Sequence, residues 1–245
     1  MDEIIKTTIL GLFFGTFGTT LGGIIGISLN KVSNRFLSSI LSFASGLMIS
    51  VICFDLIPES LEIGNVSNTI IGIFLGIIGM FCCDALVGKK FNHKSMRISN
   101  SMLKTGIIVS IGLAIHNFPE GLAIGSGLGA SFKLGLSLAI AICFHDIPEG
   151  ISMALPMKTG GMGKGRIIFY VVLSGVTTGI GAFFGAIVGQ ISNSIIAICL
   201  SFAAGAMLYI VSGELVPEAN KLYSGKFSVI GNVLGFVLGM IVTKL

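Results

Sequence analysis

The sequence predicts an all-α integral membrane protein of eight transmembrane helices, two inverted groups of three around a central pair formed by the fourth and fifth. Three observations carry this reading. The composition is extreme: 53% of the 245 residues are apolar and 11% charged, 35 are glycine, and the mean hydropathy is +0.98, well outside the range of soluble globular chains. Apolar stretches of bilayer-spanning length follow one another from end to end. One stretch near the beginning returns near the end, on a helix that the charge pattern turns the other way.

Taken in order, the spans cover 4–29, 36–58, 67–88, 102–126, 132–156, 166–190, 194–216 and 227–243, against a hydrocarbon core of about 30 Å. The links NKVSNR, ESLEIGNVSN, GKKFNHKSMRISNS, GLGASFK, MKTGGMGKGR, QISN and PEANKLYSGK hold the turn formers and most of the charge. The first span opens with DEIIKTT, acids where a signal peptide has a basic region, and no small-residue cleavage pattern follows. It is therefore expected to stay as a spanning helix. The glycine-rich segment 159–165 lacks Walker spacing and reads as a flexible hinge. Nothing is left over for a large soluble domain, so 1–245 reads as a single polytopic domain. The five cysteines, Cys53, Cys82, Cys83, Cys143 and Cys199, lie in apolar runs without zinc-knuckle spacing and are expected to be small core residues.

The basic residues set the orientation. With both termini outside, the inner loops and helix ends hold Lys31, Arg35, Lys89, Lys90, Lys94, Arg97, Lys104, Lys158, Lys164, Arg166, Lys221 and Lys226, and the outer side keeps only Lys6, Lys133 and Lys244. Such asymmetry follows the positive-inside rule. The net charge of +4 therefore reports topology, and the lipid bilayer, not nucleic acid, is the expected partner.

The repeat emerges on this orientation. SFASGLMISVICFDLIPES at 42–60 aligns without gaps on SFAAGAMLYIVSGELVPEA at 201–219, pairing Asp55 with Glu214. The two helices run in opposite directions, which places Asp55 toward the outside and Glu214 toward the inside. Inverted repeats around a midplane site are characteristic of secondary transporters that work by alternating access. Both carboxylates are open to two readings, as gate or relay groups or as solvated helix ends. Asp84 is likewise open, while Glu59, Glu62 and Glu218 read as solvated.

Chemistry concentrates in the central pair. His116-Asn117-Phe118-Pro119-Glu120-Gly121 and His145-Asp146-Ile147-Pro148-Glu149-Gly150 share the pattern H-[N/D]-x-P-E-G at an offset of 29 residues, each inside an apolar run. On a helix the His and the Glu four residues on lie on one face, one turn apart. Pairing the two helices gathers two imidazoles and two carboxylates, with Asn117 and Asp146 adding oxygen beside them. The intervening proline removes a backbone donor and leaves the carbonyl of Ile115 or Phe144 without its helical partner, so a kink with room for an ion is expected. Ionisable groups at mid-membrane cost at least about 2.5–3.5 kcal/mol each on insertion scales and mark function. Imidazole with carboxylate suits Zn²⁺ or Fe²⁺, whereas an all-oxygen cage suits Mg²⁺ or Ca²⁺. Such an ion would be cargo rather than a resident cofactor. No nucleotide motif is present, so an ion gradient or a downstream sink must drive flux. A metal-selective channel would use similar ligands. An intramembrane metalloenzyme fits less well, because neither H-E-x-x-H nor a di-iron E-x-x-H spacing occurs.

With HNFPEG, HDIPEG and the two SFAxG…[D/E]LxPE helices in view, the chain resembles the ZIP (Zrt/Irt-like) metal-ion transporter family, near its bacterial GufA-like branch. The resemblance covers nearly the whole sequence. It implies uptake of Zn²⁺, with Cd²⁺, Fe²⁺ or Mn²⁺ as further substrates, across a bacterial plasma membrane into the cytoplasm through a binuclear site. Carried over, one metal takes His116, Glu120, His145 and Glu149, and a second takes Asn117 and Asp146 with Glu120 and Glu149 bridging. The chain departs from the family in two places. Many relatives carry Ser-Gly-x-x-Glu-Pro in the sixth span, where this chain reads Ser174-Gly175-Val176-Thr177-Thr178-Gly179, and the often His-rich loop before the fourth span keeps only His93. The oligomeric state is left open, a homodimer among the options.

Overall fold

The computed structural model describes residues 1–29, 32–90 and 101–244. The loop with His93, Lys94 and Arg97, and Lys31 with it, lies outside the described residues. The rest forms eight helical rods: α1 (Asp2–Ser28), α2 (Asn34–Ile63), α3 (Val66–Lys90), α4 (Ser101–Ala130), α5 (Phe132–Thr159), α6 (Lys164–Val188), α7 (Asn193–Leu222) and α8 (Lys226–Val242). Seven are long and apolar enough to cross a membrane, and α8 is a shorter apolar helix of 17 residues, near the lower limit of about 17 for a span. The protein is a multi-pass membrane protein.

Serines set several starts. Ser33, Ser131 and Ser192 each accept a hydrogen bond on Oγ from the backbone N–H three residues on, at the N-caps of α2, α5 and α7. At their other ends α2 and α7 outrun the expected limits of 58 and 216. Both contain one π turn, Ile52–Leu56 and Val211–Leu215, closed by Ile57 N–H to Ile52 O and by Val216 N–H to Val211 O. Pro58 and Pro217 then fall in the first turn of the next α segment, where a missing N–H breaks no bond. The helix continues past both expected limits. In the central pair, α4 and α5 stay helical through Pro119 and Pro148.

Packing divides the rods. α1, α4, α5 and α6 form one group, with α4 on α5 and α6, and α1 on α5 and α6; α8 lies along α2 and α3 along α7, and α2 meets α5 as α7 meets α4. Exchanging α1 with α6, α2 with α7, α3 with α8 and α4 with α5 turns each of these pairs into another of them or, for α4 with α5 and α1 with α6, into itself. The repeat therefore extends to whole helices, at one offset of 159 residues for the outer six. Gly72 abuts Ile198 and Gly76 abuts Phe202, while Gly231 abuts Ser39 and Gly235 abuts Phe43, the same two contacts shifted by that number. At such crossings a Cβ would collide with backbone, so small residues set the helix spacing.

Large apolar side chains of α2, α5 and α7, including Leu47, Met48, Ile142, Leu200 and Met207, fill one core, and Met153, Met157, Ile167 and Val171 fill a second between α5 and α6. The cysteines do not join them. Cys53 and Cys82 are exposed and Cys83, Cys143 and Cys199 half-buried, so none is a fully buried core residue. The segment read as a hinge is a tight turn: α5 runs to Thr159, α6 starts at Lys164, and Gly161 takes a φ of 83°. Just before it, Lys158 Nζ donates to Ile27 O at 2.6 Å and Leu29 O at 2.8 Å. It thereby caps the C-terminus of α1 and ties it to α5.

Candidate metal-ion site

The last residue of each motif shapes the site. A Cβ on Gly121 would strike the backbone carbonyl of Thr178, and one on Gly150 the carbonyl of Thr19. Glycine thus lets α6 close on α4 and α1 close on α5, and the preceding glutamates are pressed inward between α4 and α5. Glu120 Oε1 lies 3.0 Å from His145 Nε2. Ligand atoms of Glu120, His145 and Glu149 all lie within 4.8 Å of one another, and all three residues are fully buried. Asp146 Oδ1 is 3.6 Å from the same His145 nitrogen.

These groups are short of partners. Glu120 Oε2, both oxygens of Glu149 and of Asp146, Asn117 Oδ1 and Thr178 Oγ1 are buried without a hydrogen bond. Leaving so many acceptors unmatched is costly in a low-dielectric interior. A donor set of imidazole nitrogen and unmatched carboxylate oxygens fits a borderline divalent cation.

The other expected residues sit around this core. His116 turns from it, its Nε2 3.1 Å from Glu214 Oε1. Both line a cavity of about 1180 Å³ together with Asp84 and Glu218. Its walls come from the start of α2 and α4 and the ends of α1, α3, α5 and α7, the ends that the basic residues place inside. The cavity is thus an inner vestibule reaching to the edge of the buried cluster. Tyr209 Oη donates to Asp84 Oδ2 at 3.0 Å on its wall. Asn117 holds a different neighbour: its Nδ2 donates to Ser174 O at 3.0 Å and to Ser174 Oγ at 3.3 Å. That leaves Oδ1 as its unmatched acceptor.

The counterpart carboxylate in the other repeat is covered. Asp55, the repeat partner of Glu214, is 6% exposed. Ser137 Oγ lies 3.4 Å from its Oδ2 and 3.3 Å from Val242 O. Of the six sequence candidates, the structure joins Glu120, His145 and Glu149 directly, sets Asp146 beside them, and holds His116 one step toward the vestibule and Asn117 against α6. Two functional neighbours carried no sequence mark for these roles. Glu214 was readable as a repeat partner but not as the group on His116, and Ser174 sits in a stretch read only for its missing glutamate.

Comparison with known proteins places the chain in a family. The family model for the ZIP zinc transporter matches residues 89–245, which include both motifs. The chain belongs to the ZIP zinc transporter family. Within it, the zinc transporter ZupT of Clostridium perfringens is 32% identical, the match covering 97% of this chain and 95% of that protein. ZupT of Corynebacterium glutamicum is also 32% identical, over 95% of this chain and 94% of its own length. The zinc transporter ZIP11 of Bos taurus is 41% identical over 54% of this chain, corresponding to 41% of that protein.

Proposed function

We propose that this ZIP-family chain, a divalent metal-ion transporter, moves Zn²⁺ foremost, and Fe²⁺, Mn²⁺ or Cd²⁺ less readily, across the bacterial plasma membrane into the cytoplasm by alternating access. His145, Glu120 and Glu149 hold the ion at the midplane. Asp146 and Asn117 supply further oxygen, and His116 receives the ion on the vestibule side. The observation that carries this reading is the convergence of Glu120, His145 and Glu149, fully buried and within 4.8 Å of one another, beside a cavity lined by His116 and Glu214. Unmatched acceptors favour entry of a cation, and the absence of a thiolate among these ligands favours its release.

The test is metal uptake into proteoliposomes holding the full chain, with Zn²⁺, Fe²⁺, Mn²⁺ and Cd²⁺ offered separately. Zn²⁺ uptake is expected to saturate, and Glu120→Ala to lower it by at least about 10–100-fold, the loss seen even when only an outer-shell partner of a bound metal is removed. Unchanged uptake in Glu120→Ala overturns the site.

A further inference from the structure

At the inner end of α2 the Arg35 guanidinium lies 5.0 Å from the centroid of Tyr223 and 5.1 Å from that of Phe227. Tyr223 follows α7 and Phe227 opens α8. The tyrosine ring rests on Gly225, where a Cβ would meet its Cε1, Cζ and Oη at 2.6–2.9 Å. Any larger residue at 225 would push the ring off Arg35. Ser38 Oγ donates to Tyr223 O at 2.9 Å and fastens the link to α2. Arg35 is thus oriented by its neighbours, and its planar fork keeps its N–H donors available.

No acid meets those donors. Among the described residues no carboxylate lies within ion-pair distance of Arg35 or of Lys226, whereas Lys221 is paired with Glu218 at 3.4 Å. Beyond the cations, Phe36 on the spanning helix α2 and Phe227, Val229 and Ile230 on the shorter apolar helix α8 are exposed apolar side chains. An anion at Arg35 would therefore sit with hydrocarbon on its membrane side. Cationic heads above apolar side chains at an inner interface match an anionic phospholipid, phosphate on the cations and acyl chains along the helices.

The inverted repeat supplies an internal control. The 159-residue shift carries Arg35, Tyr223, Lys226 and Phe227 to Ser194, Gly64, Ser67 and Asn68 at the outer end. There the same helix junction forms without a cation or a ring, so the fold does not require them. We propose that Arg35 and Lys226 bind the phosphate of an anionic phospholipid in the inner leaflet.

Native mass spectrometry of the full chain released from micelles doped with phosphatidylglycerol or phosphatidylcholine tests this. The unmodified chain is expected to retain phosphatidylglycerol and shed phosphatidylcholine. Arg35→Gln and, separately, Lys226→Gln should each lower retention about fivefold, the effect of one cation near an anionic surface. Lys226 stacks on nothing in this cluster, so its variant reports on charge even if Arg35→Gln fails to fold. Lys133→Gln, on the outer side, should change nothing. Excess glycerol phosphate should not displace the lipid; displacement would assign the site to free phosphate and overturn the proposal. Equal retention of the two lipids, or full retention by both variants, would overturn it too.

Discussion

Glu214 holds in α7 the position that Asp55 holds in α2, inside the same π turn, yet the two carboxylates meet opposite surroundings. The Glu214 side chain is 36% exposed on the vestibule and bonded to His116, while Asp55 is shut beneath Ser137. The repeat is conformationally unequal: Glu214 opens on a cavity and Asp55 is covered. Glu214→Cys should thus react with a polar maleimide from the inner side of sealed vesicles at several times the rate of Asp55→Cys from either side. Adding Zn²⁺ should raise Asp55→Cys labelling from the outer side alone. Labelling of both positions from one face would refute the topology.

Acid should slow transport. A protonated imidazole has no lone pair to give a metal, so His145 serves as ligand only when neutral. Ligation is intact above the free imidazole value of about 6.5 and is lost as pH falls through the titration range. Zn²⁺ uptake at fixed free metal is expected to drop between pH 7.5 and 5.5. A flat profile across that window would count against His145 as a ligand that limits the rate.

Metal stoichiometry should respond to Thr178. Its buried Oγ1 lacks a hydrogen bond and its side chain packs over Gly15, close to where many relatives have a glutamate. Asp146, Glu120 and Glu149 supply three negative charges, and two divalent ions would bring four positive ones. A second ion is therefore expected to bind weakly. Thr178→Glu should raise the bound stoichiometry toward two and slow release, since more ligand charge tightens a site. Isothermal titration finding two equally tight sites in the unmodified chain would overturn this account.

Gly121→Ala and Gly150→Ala should each destabilise the folded protein by about 1–3 kcal/mol, the usual cost of an extra carbon in a filled space. Each added methyl would press on a helix backbone that borders the ion cluster. Gly112→Ala is the control, because a Cβ there meets nothing within 4 Å. Thermal unfolding in detergent reads the difference, and equal midpoints for all three variants would show that α6 and α1 do not depend on these contacts.

Much of this was legible in the sequence because the bilayer imposes it. Hydrocarbon thickness dictates span length, and the inserted charges of His116, Glu120, His145 and Glu149 stood out against apolar runs. The repeat could be read from SFASG and SFAAG. The π turns could not, since ICFDL and VSGEL look like ordinary helix. The alignment of α8 along α2 was hidden as well: glycine against backbone leaves no hydrophobic stripe to find. The bond from His116 to Glu214 joins residues 98 apart in sequence, and only the packing of α4 on α7 brings them together.

Two halves that fold alike but differ in detail have a preferred resting pose. When the outer face is shut, Asp55 is covered and the Ser137 hydroxyl faces it. The 29-residue shift that carries α5 onto α4 puts Ile108 in the place of Ser137, and Ile108 lines the vestibule wall with hydrocarbon. Shutting the inner face would cover Glu214 without that hydroxyl and leave it to the His116 ring 3.1 Å away, so the two faces would close on different partners. Under the alternating access proposed above, the two end states are therefore not mirror images, and the inward and outward halves of the cycle differ in energy.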